Sequence, residues 1–251
     1  MGRFLLALML LLLAAPVSAQ QPVLGIDHIP VVVKDLVRAQ ADFAALGFTL
    51  KPGRPHKNGL SNAHIKFADG SEIELISPAT ASDELSSHYV DWLREGDGPV
   101  SLGLIRPGST NTPPPGIFFG GRQRSPTDLP EHFEHANDAV SLSAIWLAGS
   151  PAERKLQNLP GAKVVEGAFC TPFGSGLKSI QFKEGEIPLL PESAQIVSGR
   201  PIVAATVAVK RLDLTHGYLD GRGRRYRQVA GCGRPGLWVE SHGLWLEFSE
   251  R

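Results

Sequence analysis

Cysteine is nearly missing: the 251 residues contain two, Cys170 and Cys232. That scarcity excludes a zinc ribbon and a disulfide-dense scaffold, and leaves room for one bridge at most. Charge of one sign is missing too. Lys and Arg total 25 and Asp and Glu total 25, so no global field draws the chain to nucleic acid or to an acidic membrane. No glycine-rich phosphate loop, no zinc cysteine pair and no local serine-nucleophile motif is present. Beyond the first residues, no apolar run approaches the roughly 20 residues that cross a bilayer.

Turn formers and ordinary hydrophobic content are what the chain has. Gly at 27 and Pro at 20 suit short strands better than long helices, and 42% hydrophobic residues suffice for one large domain or two small ones. The N-terminus stands apart. Arg3 precedes an apolar run from Phe4 to Ala15, and Val17-Ser18-Ala19 places small residues where a signal peptidase reads. Residues 1–19 are therefore expected to be a signal peptide cleaved after Ala19, with the mature protein exported to the periplasm or secreted and not membrane-bound. In that oxidising setting a Cys170–Cys232 disulfide is expected, and two separate buried thiols are the alternative.

The first ordered stretch is the clearest. Residues 25–33 read as a strand, Asp35 as an N-cap, and Leu36, Ala39, Phe43 and Leu46 recur at helical spacing before Gly47 ends the helix. Strands follow at 48–51, 61–67 and 72–76, the last two joined by the turn signal Asp69-Gly70. The order is β-α-β-β-β. The strings Gly25-Ile26-Asp27-His28-Ile29-Pro30-Val31-Val32-Val33-Lys34-Asp35-Leu36, Ala45-Leu46-Gly47-Phe48 and Asp69-Gly70-Ser71-Glu72-Ile73-Glu74-Leu75-Ile76 together resemble the vicinal oxygen chelate superfamily in its glyoxalase-like branch.

The resemblance implies an α+β fold in which repeated βαβββ modules form curved mixed or antiparallel sheets around a cleft. Residues 20–110 are expected to hold one such module and the remnant of a second, opened by a strand at 100–105. A Pro-rich linker or loop at 111–139 follows, with Pro113-Pro114-Pro115 at its start, and two diverged modules fill 140–251. The third module is expected to open at 142–148, with a short helix near 152–156 and strands at 163–167, 177–182 and 187–190. Strands of the fourth are expected at 202–209, 225–229, 237–241 and 244–248.

His28 and Glu74 are the leading chemical candidates. Alternation puts His28 on the face of the first strand opposite Ile29 and Val31, and Glu72 and Glu74 opposite Ile73 and Leu75. An imidazole and a carboxylate on neighbouring strands can hold a divalent ion such as zinc, iron, nickel or manganese, which then polarises a carbonyl or enolate oxygen. In the superfamily these two positions carry metal ligands. The other modules depart from the pattern: Ala144 and Pro188 stand at the equivalent positions of the third, and Ala204 and Glu247 at those of the fourth. Pairing the first module with the last would assemble His28, Glu74 and Glu247, the last as third ligand or general base. A metal-free cleft with His28 bonded to Asp27 or to backbone is the plainer reading.

His64 and Asn62, with Asn58 and Ser61, are candidate ligand contacts at the cleft mouth, while His56 is expected to face solvent. Arg222, Arg224, Arg225 and Arg227 read as an anion site or, more simply, as a solvated edge strand. Glu131, His132, Glu134, His135 and Asp138 read as a polar loop. These features point to a small carbonyl- or hydroxyl-bearing partner, handled by metal-assisted lyase, isomerase or dioxygenase-type chemistry. A binding protein that has lost its metal is the rival, and an interaction module on a retired enzyme fold is a third option.

Overall fold

The computed structural model describes residues 25–106, 116–121, 124–148, 170–173, 177–182, 199–200, 202–231 and 234–251. The expected signal peptide, the Pro-rich run, Cys232 and the strands expected at 163–167 and 187–190 lie outside these residues.

The opening apolar run forms two strands, β1 (Gly25–Ile26) and β2 (His28–Val32), and changes sheets at Asp27, whose N–H donates to the Gly103 carbonyl and whose carbonyl accepts from Glu72 N–H. Helix α1 (Leu36–Ala45) starts where Asp35 accepts the backbone N–H of Arg38 at 2.9 Å, a cap that contributes about 1 kcal/mol. It stops at Gly47, whose φ of +95° suits glycine. Next come β3 (Lys51–Pro52), β4 (Leu60–Lys66) and β5 (Glu72–Pro78). Helix α2 (Glu84–Trp92) is fixed by a capping box between Asp83 and Ser86. The segment expected to hold the remnant of a second module forms β6 (Gly98–Pro99) and β7 (Leu102–Ile105), followed by β8 (Ile117–Gly120).

A polar loop with a 3-10 turn at Pro130–Phe133 leads to β9 (Ala139–Ala148), followed by β10 (Cys170–Phe173) and β11 (Leu177–Phe182). The last module is β12 (Ile202–Val209), α3 (Leu212–Gly221), β13 (Arg227–Gly231), β14 (Arg234–Ser241) and β15 (Leu244–Glu250).

Among the described residues the strands build three sheets. Sheet one runs β3-β4-β5-β2-β6, a three-stranded sheet runs β1-β7-β8, and sheet two runs β10-β11-β9-β12-β15-β14-β13. The first and last modules share one topology: β2 pairs parallel with β5, and β12 parallel with β15. In this register Pro30 faces Glu74 and Thr206 faces Glu247, so the equivalence of the two glutamates holds. The third module departs from expectation. Its first strand pairs in parallel with β11, which therefore takes the closing position assigned to the segment around Pro188.

The first module is completed by the second, not by the last. β2 pairs antiparallel with β6, and β1 with β7. The third and fourth modules join through β9 and β12 in sheet two. Alternation then sorts the side chains. Ile29, Val31, Ile65, Phe67, Ile73 and Leu75 of sheet one meet Val207, Leu237, Val239, Leu246 and Phe248 of sheet two in one continuous core, with Ala39 and Phe43 of α1 and Leu219 of α3. Phe48 stacks on Phe248 with ring centroids 5.8 Å apart, and each buried ring contributes roughly 1.5–3 kcal/mol. The opposite faces of the two sheets point away from each other. These are the faces that can carry sites.

Candidate functional site

The face of sheet one turned away from the core, its open face, follows from strand parity, and each of its side chains is buried or half-buried. His28, Pro30 and Val32 share it with Glu72, Glu74 and Ile76 of β5, with Leu60, Asn62, His64 and Lys66 of β4, and with Lys51 of β3. One end is apolar, where Val32, Leu60 and Ile76 pack against Tyr89 of α2. The other end is polar.

His28 is the centre of the polar end. Its Nδ1–H donates to Asp27 Oδ2 at 2.8 Å, which leaves Nε2 3.6 Å from Glu74 Oε2. The other Glu74 oxygen accepts the amide of Asn62 at 2.7 Å. Burial lowers the His28 pKa, but the Asp27 hydrogen bond and the charges of Glu74 and Glu72 outweigh it, so the net shift is upward. The Tyr89 phenol is pushed up to about 12, first by burial and then by the Glu74 charge.

The remnant module closes this end with small residues and one ring. Phe118 of β8 meets His28 edge-on at 4.7 Å, and Gly103 leaves it the space, since a Cβ there would strike the Phe118 ring. Gly120 does the same for Asp27, whose carboxylate lies where a Cβ would be. Neither glycine has a positive φ, so the demand is for room.

Beside this cluster lies a second network. His64 Nδ1–H donates to Glu72 at 3.3 Å and Lys66 donates to Glu72 at 2.8 Å. Burial raises the Glu72 pKa, but His64 and Lys66 overcome it and bring the group to about 2. Asp128, from the loop after β8, reaches Lys51 at 2.5 Å and Lys66 at 3.4 Å.

Sequence reasoning and structure agree on where His28 and Glu74 sit and differ on their neighbours. Glu247 is not brought to them. It faces the other way on sheet two, with the core between, and accepts the Thr206 hydroxyl at 2.5 Å, while Trp146 Nε1 donates to that hydroxyl at 2.9 Å. Asn62 and His64 lie on the open face but are committed to protein partners: Asn62 to Glu74 and to the Arg54 N–H, His64 to Glu72. Asn58 holds Asp83 at the start of α2. His56 is half-buried rather than solvent-facing, and its Nε2 is enclosed.

Arg222, Arg224, Arg225 and Arg227 run into β13, one of the two edge strands of sheet two. His135 of the polar loop is more than polar filler. Its ring packs edge-on between Phe48 and Phe67, its Nδ1 accepts from Thr49, and its Nε2–H donates to the Lys66 carbonyl. The His28–Asp27 contact is the one the plainer reading named; Asp128 and Phe118 went unread, because a side chain on a loop and one on a four-residue strand carry no period.

As a metal site the pair fits in part. The 3.6 Å gap between His28 Nε2 and Glu74 Oε2 suits two ligands of one ion, and a carboxylate on the second imidazole nitrogen is the usual support of a ligating histidine. Among the described residues, no group of three or more His, Cys, Asp or Glu side chains is placed to hold an ion. The described residues alone would thus supply two ligands, and the remaining positions would fall to water or substrate.

Residues 26–107 match a family model described as a glyoxalase-like domain. No curated protein matches. Among solved structures, a 2,3-dioxygenase from Pseudomonas sp. KL28 superimposes with a TM-score of 0.58 at 12% identity, over 93% of this chain and 94% of that one. A variant of 4-hydroxymandelate synthase from Streptomyces coelicolor does so with a TM-score of 0.55 at 11% identity, over 92% and 93%. A fusion of a xylose isomerase-like TIM barrel and a 4-hydroxyphenylpyruvate dioxygenase gives 0.52 at 10% identity, over 93% of this chain and 50% of that one. At such identities the likeness is one of fold.

Proposed function

From the premise that this chain belongs to the vicinal oxygen chelate superfamily through its glyoxalase-like domain, we propose that it is an exported enzyme acting on a small carbonyl- or hydroxyl-bearing molecule at the open face of sheet one. The observation that carries this reading is the His28–Glu74 pair, two groups 3.6 Å apart whose other polar atoms are already held by Asp27 and Asn62. The chemistry is proton transfer next to a carbonyl. Glu74 takes the proton from the carbon, and protonated His28 donates from Nε2 to the developing oxyanion. Asp27 keeps the imidazole oriented and stabilises its cation. Return of the protons in the reverse sense to the neighbouring carbon completes an isomerisation, and loss of a neighbouring group completes an elimination.

A divalent ion held by His28 and Glu74 would add Lewis-acid polarisation of the same oxygen. Ring-opening oxygenation, the chemistry suggested by the dioxygenases that share the fold, would need such an ion. Metal analysis of the purified protein separates these cases: stoichiometric metal lost in His28→Ala supports the assisted reaction. Turnover that survives complete metal removal supports proton transfer alone.

Binding without chemistry is the second reading. It draws on Phe118, an apolar ring at the place where the partner module would offer a ligand. Substrate depletion measured with wild type and Glu74→Gln tells the two apart: a binding protein depletes nothing, and the enzyme loses about 10²–10⁴ in rate on the substitution. Export is part of the proposal, and an intact mass that still includes Met1 in the secreted fraction contradicts it.

A further inference from the structure

We propose that Lys51 and Lys66 form an anion subsite on the open face of sheet one, that its ligand is the carboxylate of a small organic acid, and that Asp128 holds it as an internal competitor. The inference rests on the reading of that face as the ligand site and names the substrate class.

Both lysines are buried, at 7% and 9% exposure. Their side chains rise from the face that bears the chemistry, since Lys51 pairs with His64 and Lys66 with Glu72. Asp128 lies between them, 2.5 Å from Lys51 and 3.4 Å from Lys66, with its side chain 2% exposed. Burial disfavours every charge here, yet the pairing prevails: Lys66 is raised and Asp128 lowered, so both are ionised at neutral pH. Two lysines thus face Asp128 and Glu72, and Glu72 is shared with His64. With Asp128 withdrawn, the patch holds an uncompensated ammonium, which a buried site does not tolerate without an anion.

The competitor is held from within its own loop, where Ser125 N–H donates to Asp128 Oδ2 at 2.8 Å, so it moves with that loop. Asp128 is not part of the sheet. It sits on the loop that leaves β8, whose Phe118 touches His28 and whose Gly120 admits Asp27. The far end of the loop is anchored separately, by His135 to Thr49 and to the Lys66 carbonyl, and by Thr49 Oγ1 donating to the Glu134 carbonyl. The next residue, Leu129, is 49% exposed, so the tip can lift without opening the core. A purely structural contact is served as well by apolar side chains, which carry no desolvation cost. Lys66 and His28 stand on strands separated by β5, about 9–10 Å apart. Long side chains narrow that span to the size of a small organic acid.

The test is calorimetric titration of benzoate and pyruvate into the full chain, with ionic strength held constant by sodium chloride. Asp128→Asn keeps the shape and removes the competing charge. It is expected to bind these acids about tenfold more tightly than wild type, and Asp128→Asn combined with Lys66→Met is expected to lose the gain. A folded Asp128→Asn variant with wild-type affinity overturns the proposal. If that variant is too unstable to titrate, Asp128→Gly provides a second readout. Its melting temperature should rise with acetate beyond the response to equal chloride, and equal responses overturn the proposal. Neither readout requires turnover. Carboxylate binding without any turnover leaves this subsite standing and removes the proton-transfer reading. Turnover of uncharged carbonyl compounds with no gain in Asp128→Asn does the reverse.

Discussion

His28 sits among three carboxylates with unequal roles. Asp27 bonds its Nδ1, Glu74 faces its Nε2, and Glu72 adds charge from the paired position on β5. The ring is therefore expected to titrate above an ordinary histidine, and removing either neighbouring charge should lower its midpoint. NMR titration of metal-free protein checks this in Asp27→Asn and Glu74→Gln, and an unchanged midpoint in both contradicts the network. Asp27→Asn should also cost about 10–100-fold in activity, the usual effect of removing the partner that orients a working histidine. Gly120→Ala should do similar damage without touching a polar group, because its methyl displaces the Asp27 carboxylate. Glu72 gives a stability prediction. Its folded pKa of about 2 lies below the ordinary value of 4.5, so its contribution is present above pH 4.5 and is lost as pH falls toward 2. Urea unfolding of wild type and Glu72→Gln should converge over that window.

At the scale of elements, alternation was a sound guide wherever one face is apolar. The two faces of β2, β4 and β5 are legible because Ile29, Val31, Ile65, Ile73 and Leu75 can only go inward. Helix α2 went unread although Leu85, Tyr89 and Trp92 recur at helical spacing: the stripe is narrow, and Leu85 stays 47% exposed. β8 is four residues long and follows a Pro-rich run, which leaves no period to detect. The polar loop hides a half-buried histidine for the same reason. His135 accepts at Nδ1 and donates at Nε2, so only the neutral ring satisfies both contacts, and burial brings its pKa down to about 4. Its folded pKa is below the ordinary 6.5, so stability is full above pH 6.5 and declines as pH falls toward 4. His135→Gln should flatten that decline in thermal melts at pH 7 and pH 5. A wild type as stable at pH 5 as at pH 7 contradicts the assignment.

For the whole molecule, the pairing of modules was beyond the sequence. Pattern alone equated Glu247 with Glu74, correctly by register, but whether two equivalent residues share a cleft depends on which strands meet edge to edge. Here β2 meets β6 and β9 meets β12, so the two glutamates lie on the far faces of two sheets with one core between them, and Glu247 is itself buried. A histidine fastens the halves. His242, at the tip between β14 and β15, bonds Asp97 at 2.7 Å and Asp42 at 3.2 Å and stacks on Phe43. Both nitrogens face carboxylates, which calls for the imidazolium, and the pKa is raised, chiefly by the Asp97 bond. A raised value means that this stabilisation is complete below pH 6.5 and lost as pH rises through the folded pKa. His242→Asn should therefore cost about 1–2 kcal/mol at pH 6 and little at pH 9, a trend opposite to that of His135.

The proposed function requires His28 and Glu74 to work together on the open face of sheet one, without Glu247. NMR-detected exchange of hydrogen for deuterium, next to the carbonyl of pyruvate, phenylpyruvate and hydroxyacetone in deuterated buffer, tests it without knowledge of the product. Wild type should accelerate exchange in at least one compound, His28→Ala and Glu74→Gln should abolish the acceleration, and Glu247→Gln should retain it. Exchange at the buffer rate with all three compounds, or acceleration that survives Glu74→Gln and disappears in Glu247→Gln, would contradict the account.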